Sequence, residues 1–519
     1  MSALLRAETV WGLVAARAAA TPDAAILQEP DGTIVRAGAL AERAERVAAG
    51  LQDLGISAGT TVTWQLPTRV ETVLLSLALA RLGAVQTPVI HLYGEREVAA
   101  VLRSSRPTAL VVPRSWKGED RVAVAERLTA RLEPPCRVIV ADRGDLPDGD
   151  PVGLPPPPVD GGEVRWIYYT SGTTSEPKGV RHTDATLLAG GRGLALALDL
   201  QPDDKGSMAF PFAHIAGPDY LLMLLAVGVP AVLLEAFVPA EAVATYRRLG
   251  VTMVGGSTAH YTAFLAEQRR SPAAPIIPTL RTVSGGGAPK PAELVAQVRD
   301  ELGAVLVHGY GMTEIPMISQ GSPHDSTEQL MHTEGAPVAG VELRVVRSDG
   351  EPAANGEEGE VRVRGSVVCA GYTDPALTAA AFDADGWFRT GDLGVLREDG
   401  HVRLTGRLKD VIIRKGENVS AQELEDLLYS HPKVAEVAVV GLPDAERGEL
   451  VCAVVTTPAA SAPLTLPELV DFLAAAGLMR QKIPERLEVV ESLPRNETLN
   501  KVLKYKLRER FSGGTPAPQ

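Results

Sequence analysis

Residues 168–180 read Tyr-Tyr-Thr-Ser-Gly-Thr-Thr-Ser-Glu-Pro-Lys-Gly-Val. Thr170, Ser171, Thr173 and Thr174 place four hydroxyls around Gly172, and Lys178 and Gly179 follow. Such a loop offers a phosphate close backbone N–H groups, hydroxyl donors and one mobile ammonium. It is not a Walker A loop, which needs Gly directly before its lysine, because Pro177 stands there. The plain alternative is a surface turn rich in Ser and Thr. A second stretch, His308-Gly309-Tyr310-Gly311-Met312-Thr313-Glu314, supplies complementary groups. Tyr310 has a ring that can stack on a base, and Thr313 a hydroxyl for a phosphate. Glu314 has a carboxylate for a Mg²⁺ that also touches phosphate oxygens. Here the plain alternative is a capped helix start, which Thr313 would serve equally well.

Further stretches carry related chemistry. Ser284-Gly285-Gly286-Gly287-Ala288-Pro289 is flat backbone against which an aromatic base can pack; a tight turn before a helix from Pro291 is its alternative. Gly386-Trp387-Phe388-Arg389-Thr390-Gly391-Asp392 sets a carboxylate on a glycine-flanked loop, able to accept from both ribose hydroxyls or simply to close a turn. His214, within Pro211-Phe212-Ala213-His214-Ile215-Ala216-Gly217, stands in apolar company and reads by itself as a core histidine. Ser420 and Glu423 have the spacing of a capping box after Gly416. Lys501 and Lys504 lie in a basic tail, where a lysine is ordinarily solvated.

These groups need elements to hold them. Apolar spacing predicts a helix over 39–54, a strand over 61–64, a helix over 70–82 stopped by Gly83, and a strand over 84–90. A helix over 95–107 and a strand over 109–112 follow. Strand, helix, strand at this length is a βαβ unit, so a parallel sheet is expected. Residues 164–167 read as the end of a strand entering the phosphate stretch, after which the βα rhythm resumes to about 320. The four prolines Pro155–Pro158 exclude helix and central strand and mark a connector. Period-two alternation over 341–346 and 360–364 predicts strands of a smaller β unit. Residues 221–234 are too short for a membrane span of roughly 20 residues and are broken by Gly228 and Pro230, so they read as buried helix, turn and strand. The Gly- and Pro-rich tail 512–519 reads as disordered.

At 519 residues two or more domains are expected. The net charge of −13 argues against nucleic acid as a partner. Cys136, Cys369 and Cys452 are far apart, with neither metal spacing nor an even disulfide set, which fits a reducing cytoplasm. The start lacks the basic and apolar regions of a signal peptide.

Taken together, in order and spacing, the motifs resemble those of the adenylate-forming enzymes, and among them the acyl-CoA synthetases. The resemblance runs from about residue 10 to 510. It implies an α/β fold: a large N-terminal domain of stacked βα subdomains with a small β-barrel-like unit, over 1–408, and a small mobile α+β C-terminal domain over 409–519. It implies ATP, Mg²⁺ and coenzyme A as cosubstrates and cofactor, and a small carboxylic acid as substrate. ATP or AMP would meet Thr170, Ser171, Gly172, Thr173, Thr174, Lys178, Gly287, Ala288, Pro289, His308, Gly309, Tyr310, Gly311, Met312, Asp392 and Arg407. Thr313, Glu314, Lys501 and the pocket-gating His214 would be catalytic, with Glu314 on the metal. Gly416 would lie along coenzyme A, and Lys409 would be the hinge. Lys501 follows Asn500 where the family usually has Gly, and its loop is one residue longer. The pattern fits fatty, medium-chain, alicyclic or aromatic acids; residues 206–218 lack the Asp of amino-acid-activating relatives, which favours an uncharged acyl tail. No integral membrane part is implied, and a homodimer stays open. Transfer of the acyl adenylate to a carrier protein and a non-catalytic nucleotide-binding homologue are the alternatives.

Overall fold

The computed structural model describes residues 4–170, 177–287, 290–414, 417–444, 447–458, 464–495 and 502–512. It divides into two compact units, Met1–Leu343 with Val363–Phe388, and Arg344–Arg362 with Arg389–Gln519.

The first unit contains three larger sheets, a two-stranded ribbon of Ser115–Trp116 and Glu119–Asp120, and the helices that cover them. In a six-stranded sheet the strands run in the order Lys178–Thr183, Val164–Thr170, Val85–Pro88, Thr61–Trp64, Ala109–Val112, Arg137–Val140. All neighbours are parallel except the first pair. The expected βαβ unit is present, and its helix Val70–Leu82 is buried on every side, which is why it shows no polar stripe. Gly83 ends it at φ 71°, a left-handed conformation that a side chain would strain. The other predicted helices fall at Ala37–Asp53 and Glu95–Ser105; the second stops short of the expected 107 because Arg106, ahead of Pro107, turns left-handed at φ 44°.

Two stretches carry detail beyond the local reading. The strand entering the phosphate stretch runs through to Thr170. Lys178–Thr183 returns antiparallel to it, with Lys178 opposite Thr170, before the helix Asp184–Ala197 begins. Backbone hydrogen bonds across this hairpin therefore fix both ends of the stretch.

The second lies in a five-stranded sheet, ordered Met253–Gly256, Thr282–Gly286, Val305–Met312, Ile315–Gln320, Ala336–Pro337. The first three strands are parallel and the rest antiparallel. Residues 308–314 are thus a strand and a tight turn, which sets aside the plain alternative of a capped helix start. A third sheet joins Gly206–Met208, Ala231–Leu233, Ala25–Gln28 and Ile34–Arg36. Residues 221–234 are helix, turn and strand as expected, with Gly228 at φ 92° between Ala216–Val227 and Ala231–Leu233.

In the second unit the strands Phe388–Leu396 and Val402–Arg407 pair antiparallel. They lie in a four-stranded sheet after Val341–Val346 and Glu358–Gly365, while Val411–Arg414, Glu417–Ser420 and Arg486–Val489 form a separate sheet with Glu436–Asp444 and Gly448–Thr456, which carry both faces of a core. Val437, Val439, Val451, Ala453 and Val455 pack toward Leu424, Leu428, Leu469 and Leu473. The alternate residues Val440, Leu442, Cys452 and Val454 pack toward Leu493, Leu507 and Phe511. This is the period of two in a sheet covered on both sides. The capping box at Ser420 is half made: Ser420 Oγ accepts from Glu423 N, but the Glu423 carboxylate is taken by Lys482 Nζ at 2.6 Å. The three cysteines are buried and free. No helix among the described residues is long and apolar enough to cross a membrane.

Candidate active site

In the first unit the site is built on the hairpin that joins Val305–Met312 to Ile315–Gln320. Its glycines are demanded by packing. A Cβ on Gly309 would lie 2.3 Å from Gln320 Oε1, and one on Gly311 would lie 2.3 Å from Pro316 O. Next to it, Gly286 pairs with Gly309 and Gly285 with His308. A Cβ on Gly286 would meet Gly309 O at 2.3 Å, and one on Gly285 would meet Gly256 O at 1.7 Å. At Gly256, Gly285, Gly286 and Gly309 three neighbouring parallel strands are thus bare backbone, a flat floor of the kind an aromatic base can lie against. Gly287 follows at φ 81° and is exposed. Tyr310 is buried within its strand, opposite Ser319, and Met312 pairs with Ile315 at the end of the hairpin.

Thr313 and Glu314 form the turn and are held from two sides. His182 Nε2 lies 2.8 Å from Thr313 O. A carbonyl only accepts, so Nε2 carries the hydrogen and donates, and Nδ1, 2.9 Å from Thr186 Oγ1, is the acceptor. Burial lowers His182 to about 4, so this ring is neutral at ordinary pH. On the other side the Tyr372 hydroxyl donates to Glu314 Oε1 at 2.7 Å, and Cys369 N donates to Glu314 O at 2.9 Å. Burial and the facing Glu314 carboxylate hold the Tyr372 phenol above its ordinary range. Neither His182 nor Tyr372 was singled out in the sequence. His182 lies four residues past Lys178, and Tyr372 is 58 positions from Glu314, so only the fold pairs them with this turn.

His214 is half-buried rather than a sealed core histidine. Its Nδ1 accepts from Ala216 N at 3.3 Å, which assigns the hydrogen to Nε2 in the neutral ring. The glycine of its motif is again required: a Cβ on Gly217 would lie 2.2 Å from Phe212 O. Just beyond, Asp219 lies buried in the helix Ala216–Val227. Its Oδ1 occupies the space a Cβ on Gly190 would need, and burial raises its carboxyl to about 8. An acidic residue in an otherwise apolar helix was the available signal.

In the second unit, Asp392 and Arg407 face each other across the pair of strands. Arg407 Nε donates to Asp392 Oδ1 at 2.9 Å; the Asp392 side chain is 6% exposed and that of Arg407 is 49% exposed. A cation thus stands beside a carboxylate. Lys409 is exposed in the turn Leu408–Asp410, while Asp410 accepts from Arg508 at 2.9 Å. Lys504, the other lysine of the basic tail, is not simply solvated: its ammonium pairs with the buried Glu425 at 2.7 Å. Ser171, Gly172, Thr173, Thr174, Ala288, Pro289, Gly416 and Lys501 lie outside the described residues, as does most of the C-terminal tail. Thr170 and Lys178, flanking the first of these, are described and face each other in the hairpin.

A Mg²⁺ with few protein ligands fits Glu314. Among the described residues no group of three His, Cys, Asp or Glu side chains could hold a metal. A single ordered carboxylate suits an ion that keeps water and phosphate oxygens as its other ligands.

The AMP-binding enzyme family matches residues 14–373, and the AMP-binding enzyme C-terminal domain matches residues 423–499. The chain is similar to the medium-chain fatty-acid–CoA ligase of Escherichia coli (strain K12), at 33% identity over 95% of this chain and 88% of that protein. It is similar to the salicyl-AMP ligase / salicyl-S-ArCP synthetase of Mycobacterium tuberculosis, at 35% identity over 88% of this chain and 82% of that protein. Among solved structures it resembles the o-succinylbenzoate coenzyme A synthetase of Bacillus subtilis in complex with ATP and magnesium ion, with a TM-score of 0.83 and 29% identity over 95% of this chain and 98% of that one. By motif order, fold and match over most of its length, the chain belongs to the AMP-binding enzyme family.

Proposed function

We propose that this protein is an ATP-dependent carboxylic acid–CoA ligase acting in the cytoplasm. In the first step a carboxylate oxygen of the acid attacks the α-phosphorus of ATP. The bond to the β-phosphate oxygen breaks, and acyl-AMP and pyrophosphate result. In the second step the thiol of coenzyme A attacks the acyl carbon, loses its proton and displaces AMP. A free carboxylate would have to expel oxide, whereas AMP is a good leaving group.

The observation that carries this reading is the Thr313–Glu314 turn, pinned by His182 and Tyr372 beside the glycine floor of Gly285, Gly286 and Gly309. The protein's task is to align the carboxylate and to meet charge that develops on the α-phosphate. The Thr313 hydroxyl donates to a phosphate oxygen, Lys178 and the hydroxyls from Thr170 to Thr174 cradle the others, and Glu314 holds Mg²⁺. When bound, Mg²⁺ neutralises charge on the phosphate oxygens. Tyr310, Gly287, Ala288, Pro289, His308, Gly311 and Met312 frame the base, and Asp392 and Arg407 take the ribose and phosphate. His214 borders the acyl slot, Lys501 completes adenylation, and Gly416 lies along the pantetheine of coenzyme A. Residues 409–519 form the lid, with Lys409 as its hinge.

Acid-dependent pyrophosphate release, measured with and without coenzyme A across a panel of carboxylic acids, tests the proposal. Release with an apolar acid, and thioester formation on adding coenzyme A, are expected. No acid-dependent release would overturn it. Release that coenzyme A never converts to a thioester would favour a carrier protein as acceptor, the reading supported by the likeness to the salicyl-AMP ligase.

A further inference from the structure

The segment from Cys369 to Thr373 is tied by its backbone to two parts of the candidate site. On one side Cys369 N donates to Glu314 O at 2.9 Å. On the other it runs along the strand that leaves the phosphate stretch: Ala370 N donates to Arg181 O at 2.8 Å, Arg181 N to Gly371 O at 2.9 Å, and Thr373 N to Gly179 O at 2.8 Å. The approach is close enough to dictate sequence. A Cβ on Gly179 would lie 2.8 Å from the Thr373 side chain, and Gly371, at φ 87°, would meet Thr378 at 2.5 Å. From the middle of this segment Tyr372, 8% exposed, sends its hydroxyl to Glu314 Oε1 at 2.7 Å.

We propose that Tyr372 is a positioning residue for the metal ligand. Its hydroxyl fixes one oxygen of Glu314 and so sets the direction in which the other faces. Because the same segment is bonded to Gly179 and Arg181, that direction is fixed relative to the strand beginning at Lys178. The carboxylate and the phosphate-binding strand are thereby held in one frame, although they belong to different sheets. A carboxylate on a two-residue turn would otherwise rotate about its terminal torsion, which has no sharp staggered wells. This inference rests on the reading of Glu314 as the Mg²⁺ ligand.

Tyr372→Phe removes the hydroxyl and keeps the ring. Calorimetric titration of ATP into the full-length protein at a series of Mg²⁺ concentrations gives a readout independent of turnover. Partners of a metal ligand typically contribute 10–100-fold to metal affinity, so the half-saturating Mg²⁺ concentration is expected to rise at least about tenfold. ATP binding without Mg²⁺ is expected to stay the same. In a Glu314→Gln background, Tyr372→Phe is expected to add nothing, because the hydroxyl acts only through that carboxylate. An unchanged Mg²⁺ dependence would overturn the proposal, whether or not the melting temperature falls. So would an undiminished effect in the Glu314→Gln background. If the wild-type protein binds ATP with no Mg²⁺ dependence at all, the metal reading of Glu314 fails and this inference falls with it.

Discussion

At the scale of single residues, the site depends on which groups are charged. Lys501 is the residue whose loss is expected to be most selective. Lys501→Ala should lower acid-dependent pyrophosphate exchange by roughly a hundredfold or more, about 3 kcal/mol of barrier, while acyl transfer from supplied acyl-AMP continues. Retained exchange in that variant would refute the assignment. Asp219 gives a test by pH. Its carboxyl is raised from 3.8 to about 8 by burial. Between those values the native state keeps a proton that the unfolded chain releases, so this group lowers stability as pH rises from about 4 to 8. Asp219→Asn does not titrate. Its melting temperature should therefore exceed that of the wild type by an increasing margin from pH 5 to pH 8, measured by scanning calorimetry. His182 and His260, both lowered to about 4, act in the opposite sense between about 4 and 6.5, but equally in both proteins. Parallel curves would sink the neutral-Asp219 reading.

At the scale of elements, the floor of the site is made by strands that approach without side chains between them. Gly286→Ala places a methyl 2.3 Å from the Gly309 carbonyl, which is backbone and cannot swing aside. The strands Thr282–Gly286 and Val305–Met312 would have to part at their carboxyl ends, at a cost of about 1–3 kcal/mol. ATP affinity should fall with stability, because the displaced hairpin carries Thr313 and Glu314. Equilibrium unfolding and ATP titration on the same sample check this; normal affinity in a destabilised protein would separate the floor from the site. The glycine run itself was legible in the sequence as flat backbone. That its steric partner is a second glycine motif, 23 residues on, was not: parallel pairing of Gly286 with Gly309 is a long-range register.

At the scale of the whole molecule, the chain is two compact units, and the proposed second half-reaction requires the lid to move. Lys409 is exposed in a single turn between strands, inside the second unit. Lys409→Pro fixes φ near −65° at that point. It should slow thioester formation far more than adenylation in single-turnover assays of each step. Equal slowing of both would count against the hinge.

What the sequence determined by itself was local or ordered along the chain: the βαβ rhythm, the helix stops at Gly83 and Gly228, the motifs and their order. Periodicity and turn chemistry act over a few residues, so they can be read without the fold. The partners of those motifs were decided by tertiary structure. The antiparallel return of Lys178–Thr183, the hairpin at 308–320, and the joining of Tyr372 to Glu314 and His182 to Thr313 all depend on strand pairing between distant segments. Such pairing is selected by the burial of whole sheets, which no short window of residues contains.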